Sequence, residues 1–190
     1  QELVWTTFGK TDPSEQIDLD VKSPLARQYL SGIFRQFKAN RVNMVRLDAV
    51  GYVIKKPGTS CFFVEPDIYE FLDWVAGQAE EHDIALLPEV HAHYSIQYKL
   101  AERGFMIYDF ILPFTVLDAL VNRSSGMLLR YLRTRPANQF TMLDCHDGIP
   151  VKPDLDDLID SAQARRVVEL CLERGANLSY VLSDKHKSPD

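Results

Sequence analysis

Three carboxylic acids each close an apolar run. Asp48 ends Val42 to Asp48 (VNMVRLD), Glu89 ends Ile84 to Glu89 (IALLPE), and Asp147 ends Phe140 to Asp147 (FTMLDCHD). Strands buried on both faces read as such runs, and in α/β barrels the C-terminal strand ends carry the catalytic groups. Residues two apart on a strand share a face, which pairs Arg46 with Asp48 and Glu89 with His91. A guanidinium beside Asp48 is expected to keep that acid ionised, whereas Glu89, close to two other carboxylates, is expected to move toward its protonated form. One ionised and one protonated acid suit retaining glycoside cleavage, in which the first attacks the anomeric carbon and the second protonates the departing oxygen. Asp147, next to His146, is then free to stabilise the cationic transition state or to grip sugar hydroxyls.

Other chemistries compete for the same residues. Glu89, His91 and His93 alternate and could present a metal face, with His146 and Asp147 as further ligands. An H-x-H pair is a short signal, however, and the expected metal set is none. A barrel that has lost its chemistry and only binds is a third class, since fold does not determine function. Asp109 also ends an apolar run, but a structural hydrogen bond is as good a use for it, and it is left out of the catalytic set.

The elements that must position these acids alternate between strand and helix. A polar loop over 9–18 leads to a helical pattern over about 23–39 that carries Leu25, Tyr29, Leu30, Ile33, Phe34 and Phe37. A second helix is expected over 65–82, with Trp74 packed in it, a short one over 94–103, a strand over 105–110, and one long helix over 116–133. This makes about four βα units of an α/β fold, too few to close an eight-stranded barrel. The expected architecture is therefore a fragment of a (β/α)8 TIM barrel, residues 1–190 being an internal part of it and residues 1–18 the exit from an inserted domain.

Composition narrows the partners. The 190 residues are 46% hydrophobic and 25% charged, with a formal charge of −6, which gives no general attraction for nucleic acid or an anionic membrane. No run reaches the roughly 20 apolar residues that span a bilayer. Three cysteines without close metal spacing read as reduced thiols, and a cytoplasmic setting is expected. Small molecules are the expected partners, and no oligomeric state is assigned.

The segments VRLDAVGYV, LLPEVH and TMLDCHDGI resemble the last three signature segments of the α-amylase family of glycoside hydrolases, in the family's order. The longer stretches VWTTFG, EQIDLDV, RLDAVGYVIKKPGTSCF and IYDFILP narrow the resemblance to the sucrose phosphorylase branch. Within it, GKTDPSEQ, GIPVKPDLDDLID and LSDKHKSPD are most similar to members acting on sucrose 6′-phosphate. The resemblance implies Asp48 as nucleophile, Glu89 as general acid/base and Asp147 as transition-state stabiliser. It further implies Arg46, His146, Phe8, Gln16, Tyr52 and His91 as substrate-binding residues, no cofactor, and inorganic phosphate as co-substrate. The implied products are α-glucose 1-phosphate with fructose 6-phosphate or fructose. A hydrolase or transglucosylase would use the same three acids.

A phosphate approaching a ring of carboxylates needs cations to offset repulsion. Lys55, Lys56, Arg133, Arg135 and the loop Lys185-His186-Lys187 are the candidates, with Lys185 and Lys187 preferred.

Overall fold

The computed structural model describes residues 4–8, 16–151, 158–177, 180–182 and 187–189. By internal contacts the chain divides into two compact units, Gln1–Val90 and His91–Asp190.

In the first unit, α1 (Pro24–Ala39) begins with proline in its first turn, where the missing N–H costs nothing. It feeds β1 (Met44–Leu47), and α2 (Asp67–Glu80) then crosses to β2 (Ala85–Pro88). The two strands are parallel, in the register Met44↔Ala85 to Leu47↔Pro88. Ile68, Leu72 and Val75 of α2 are buried beside Leu86 and Leu87 of β2, each such side chain contributing roughly 1.5–3 kcal/mol. Trp74 packs on Phe71, with the Arg27 guanidinium 5.0 Å over its ring. On α1 the apolar stripe read from the sequence is wider than the buried face: Phe34 is buried, while Leu25 and Tyr29 are exposed.

The second unit runs α3 (Tyr94–Glu102), β3 (Ile107–Tyr108), α4 (Leu112–Asn122), α5 (Gly126–Thr134), β4 (Gln139–Phe140) and α6 (Ser161–Glu173), followed by the antiparallel pair β5 (Tyr180–Leu182) and β6 (Lys187–Pro189). β3 and β4 are parallel. The single helix expected over 116–133 is two, because Arg123 takes a left-handed conformation (φ 49°) and its N–H caps Ala119. The Ser124-Ser125-Gly126 run then restarts the chain, and serine and glycine favour such breaks. Helix α6 was not anticipated; Asp160 caps it by accepting from the N–H groups of Ala162 and Gln163 at 3.0 and 3.1 Å.

β4 is also shorter than the run that predicted it. A strand continues only while a neighbour takes its hydrogen bonds, and β3 offers two residues. Asp147 therefore sits in a turn beyond β4 rather than at its end.

A buried carboxylate organises this unit. Asp109, fully buried, accepts from the Leu112 N–H (3.0 Å), the Tyr131 hydroxyl and the Arg135 guanidinium (2.5 Å). The structural reading of Asp109 is the one its partners support. Around it Ile111, Leu112, Phe114, Tyr131 and Val167 form the core, and Asp118 ties α4 to α6 through Gln163 at 2.6 Å.

Burial, and then the Asp109 charge, push the Tyr98 phenol up to about 12 from an ordinary 10.0. Burial and the hydrogen bond to Asp109 raise Tyr131 as well. A phenol raised in the folded state contributes stability that is complete below its unfolded pKa and is lost as pH climbs through the folded one. Ultraviolet titration should show Tyr98 and Tyr131, of the eight tyrosines, ionising late, with stability falling between pH 10 and 12; tyrosines that all ionise near 10 would contradict the described packing.

Candidate active site

The first unit holds two of the three acids. Leu47 of β1 faces Pro88 of β2, and the ladder continues by one bond, from the Glu89 N–H to the Leu47 carbonyl at 3.0 Å. The same register carried one step further sets Asp48 level with Glu89. Arg46 bridges them, one guanidinium nitrogen donating to Asp48 Oδ1 and the other to Glu89 Oε1 at 2.5 Å. Two carboxylates on neighbouring strand ends repel, and a planar fork of donors between them is the arrangement that offsets it. Burial works against the charge on Arg46, but the Glu89 and then the Asp48 contacts outweigh it and raise the guanidinium pKa.

The second Glu89 oxygen takes the backbone N–H of Ala49 at 3.1 Å. Ala49 is left-handed (φ 45°) and opens a 3-10 turn, Val50–Tyr52. This conformation is costly for a residue with a Cβ, by roughly 1–2 kcal/mol, and it turns the chain away from β1 at the residue whose N–H meets Glu89. The two acids are consequently held differently: the Glu89 side chain is 9% exposed, that of Asp48 73%. Within this unit Glu89 is held by a guanidinium and a backbone N–H.

The turn also places the aromatic residues. A Cβ on Gly51 would lie 2.7 Å from the Phe62 ring, so only glycine admits the Tyr52–Phe62 contact, with centroids 4.8 Å apart. Phe8 meets Tyr52 edge-on at 5.6 Å and lines a hollow of about 320 Å³ with Gln16 and Val53. Phe8 therefore adjoins both Gln16 and Tyr52.

β2 stops at Pro88, so Glu89 and His91 follow the strand rather than lie within it. His91 belongs to the second unit, its ring stacked on Phe110 at 4.3 Å. His93 caps α3, its Nδ1 accepting from the Ser95 N–H at 3.3 Å, a use that competes with metal ligation. His146 and Asp147 lie together in an exposed turn, Nε2 to Oδ2 at 3.2 Å.

Several candidate phosphate cations are already engaged. Lys55 is nearly buried and bonds Asp18 (3.3 Å), Thr7 and the Tyr52 carbonyl. Lys56 pairs with Asp67 at 3.2 Å, and Arg135 with Asp109. Lys185 and His186 lie outside the described residues; of Lys187 only the backbone, in β6, is described.

No family model matches the chain. The chain is 68% identical over all 190 residues to a sucrose 6(F)-phosphate phosphorylase of Thermoanaerobacterium thermosaccharolyticum, covering 39% of that protein. It is 40% identical over 187 residues to a glucosylglycerol phosphorylase of Marinobacter adhaerens and 38% over 178 residues to a sucrose phosphorylase of Streptococcus mutans, with 94% of the chain matched in each case and 38% and 36% of those proteins covered. The crystal structure of sucrose 6F-phosphate phosphorylase from Thermoanaerobacter thermosaccharolyticum matches 97% of the chain with a TM-score of 0.90 and 68% identity, over 37% of its own length. The chain thus spans well under half the length of these relatives. Its resemblance to the sucrose phosphorylase branch extends from end to end, and its α/β fold is part of the (β/α)8 barrel.

The Arg46 bridge is open to test by stability alone. In the full-length protein, Arg46→Met should cost about 1–3 kcal/mol, the cost of leaving a buried acceptor without its donor, while Arg46→Met with Glu89→Gln should recover part of the loss. Additive losses in chemical denaturation would show that the two side chains do not interact.

Proposed function

We propose that this chain carries the reacting acids of a retaining glycoside phosphorylase that cleaves sucrose 6′-phosphate, or sucrose, with inorganic phosphate. The observation that carries the reading is the Asp48–Arg46–Glu89 cluster, in a sequence 68% identical throughout to a protein of that description.

The exposed Asp48 attacks the anomeric carbon of glucose and forms a glucosyl ester, while Glu89 passes a proton to the departing fructose 6-phosphate or fructose. Phosphate then attacks the ester with Glu89 as base, releasing α-glucose 1-phosphate with retention. Arg46 sits between both acids, so it offsets charge that grows on Glu89 as it protonates the leaving group and falls on Asp48 as the ester forms. Asp147 is assigned to stabilising the oxocarbenium-like state, and His146, Phe8, Gln16, Tyr52 and His91 to holding sugar. With Lys55, Lys56 and Arg135 tied into internal ion pairs, Lys185 and Lys187 are the remaining preferred phosphate contacts. The reaction needs no metal or cofactor. A cytoplasmic location follows from the phosphorylated substrate and from reduced thiols; among the described residues no helix is long and apolar enough to cross a membrane.

Glucose 1-phosphate release by the full-length protein with phosphate should favour sucrose 6′-phosphate over sucrose. A preference for sucrose would move the substrate to the unphosphorylated sugar, and free glucose alone would make the protein a hydrolase. Asp48→Asn should abolish the glucosyl ester, lowering the rate by a factor of about 10³ or more. Glu89→Gln should still accumulate ester from a substrate with a good leaving group, detectable by mass; normal turnover in Asp48→Asn would defeat the mechanism.

A further inference from the structure

We propose that the turn Cys145-His146-Asp147 is a binding site for a divalent transition metal, zinc above all, and that its occupation switches off the sugar site. The sulfur, an imidazole nitrogen and a carboxylate oxygen of these three residues lie within 4.8 Å of one another, and His146 Nε2 is 3.2 Å from Asp147 Oδ2. Bonds of about 2.0–2.3 Å in a tetrahedral zinc site put neighbouring ligand atoms roughly 3.3–3.8 Å apart. The donors therefore already lie within about 1 Å of the spacing such a site needs.

The turn itself gathers them. The Gly148 N–H donates to the Cys145 carbonyl at 3.0 Å, closing a four-residue turn whose last position has φ 91°, accessible to glycine. The Cys145 sulfur, 3.4 Å from the Gly148 carbonyl, is thereby turned back over the loop. Thiolate, imidazole and carboxylate together disfavour magnesium and calcium, which take oxygen ligands, and suit zinc, cobalt or copper. Three protein ligands leave a fourth position for water. His146 and Asp147 are exposed, which gives the ion a path from solvent.

Binding releases one proton per ion: the Cys145 thiol gives its proton to solvent as the sulfur–metal bond forms, His146 binds as the neutral ring, and no electron is transferred. Affinity accordingly rises with pH. The inhibitory half of the proposal rests on the assignment of His146 and Asp147 to glucose, since a metal that holds both withdraws them from the sugar; the binding half does not.

The test uses full-length protein and cobalt(II) as a spectroscopic stand-in for zinc. Wild type should develop a sulfur-to-cobalt charge-transfer band that zinc bleaches, and Cys145→Ser should lack that band. Absence of the band in wild type, or its persistence in Cys145→Ser, overturns the site. In parallel, zinc should inhibit glucose 1-phosphate release, with reversal by a chelator and about tenfold or greater loss of sensitivity in Cys145→Ser. A Cys145-dependent band without inhibition of an active enzyme overturns the switch. Protein that gives the Cys145-dependent band with cobalt but shows no phosphorolysis when metal-free overturns the proposed function instead and leaves the site standing.

Discussion

Two like charges at the ends of adjacent parallel strands are the constraint around which the first unit is arranged. The β1–β2 register brings Asp48 and Glu89 to one level, and close carboxylates resist a common ionised state. Arg46 removes the conflict from within, since its side chain rises from the same strand as Asp48 and reaches both acids. Its position two residues before Asp48 is what allows this, as strand neighbours two apart share a face. The α2 packing beneath, with Ile68 and Leu72 wholly buried, keeps that register from slipping.

The four parallel strands and most helices were legible because burial on both faces leaves continuous apolar runs, and Pro24 marks where α1 begins; the antiparallel pair β5 and β6 falls where a polar loop was expected. Elements that depend on a partner's length were not legible. β4 ends early because β3 is short, which a run such as FTMLDCHD does not reveal. The α4–α5 break turns on the left-handed Arg123, a residue with no reputation as a breaker, although the following Ser-Ser-Gly was a usable signal. Helix α6 has a clear start in Asp160 that periodicity alone passed over.

Within the candidate site, residue type and spacing grouped Asp48, Glu89 and Arg46, which the structure brings together, but did not show how Glu89 is fixed. One of its two anchors is the N–H of Ala49, which has no side-chain signature. The cations that follow β1 are engaged in a way their spacing does not show: Lys55 and Lys56 find acids from distant parts of the sequence, Asp18 and Asp67. Lys55 in particular serves as a post for the Trp5–Phe8 segment, through Thr7, and for the turn carrying Tyr52. Its charge shapes the aromatic wall rather than facing solvent.

Under the proposed mechanism, with Asp48 as nucleophile and Glu89 as proton carrier, the unequal tethering of the two acids has a kinetic consequence. A nucleophile must travel by more than an ångström to form a covalent bond and return when the bond breaks, whereas a proton carrier must keep its aim through both half-reactions. Asp48, exposed and held through one oxygen, has that freedom; Glu89, buried and held through both, does not. Motion is thus allotted to the group that needs it, and the cost of reorganisation during a turnover falls on one side chain instead of two.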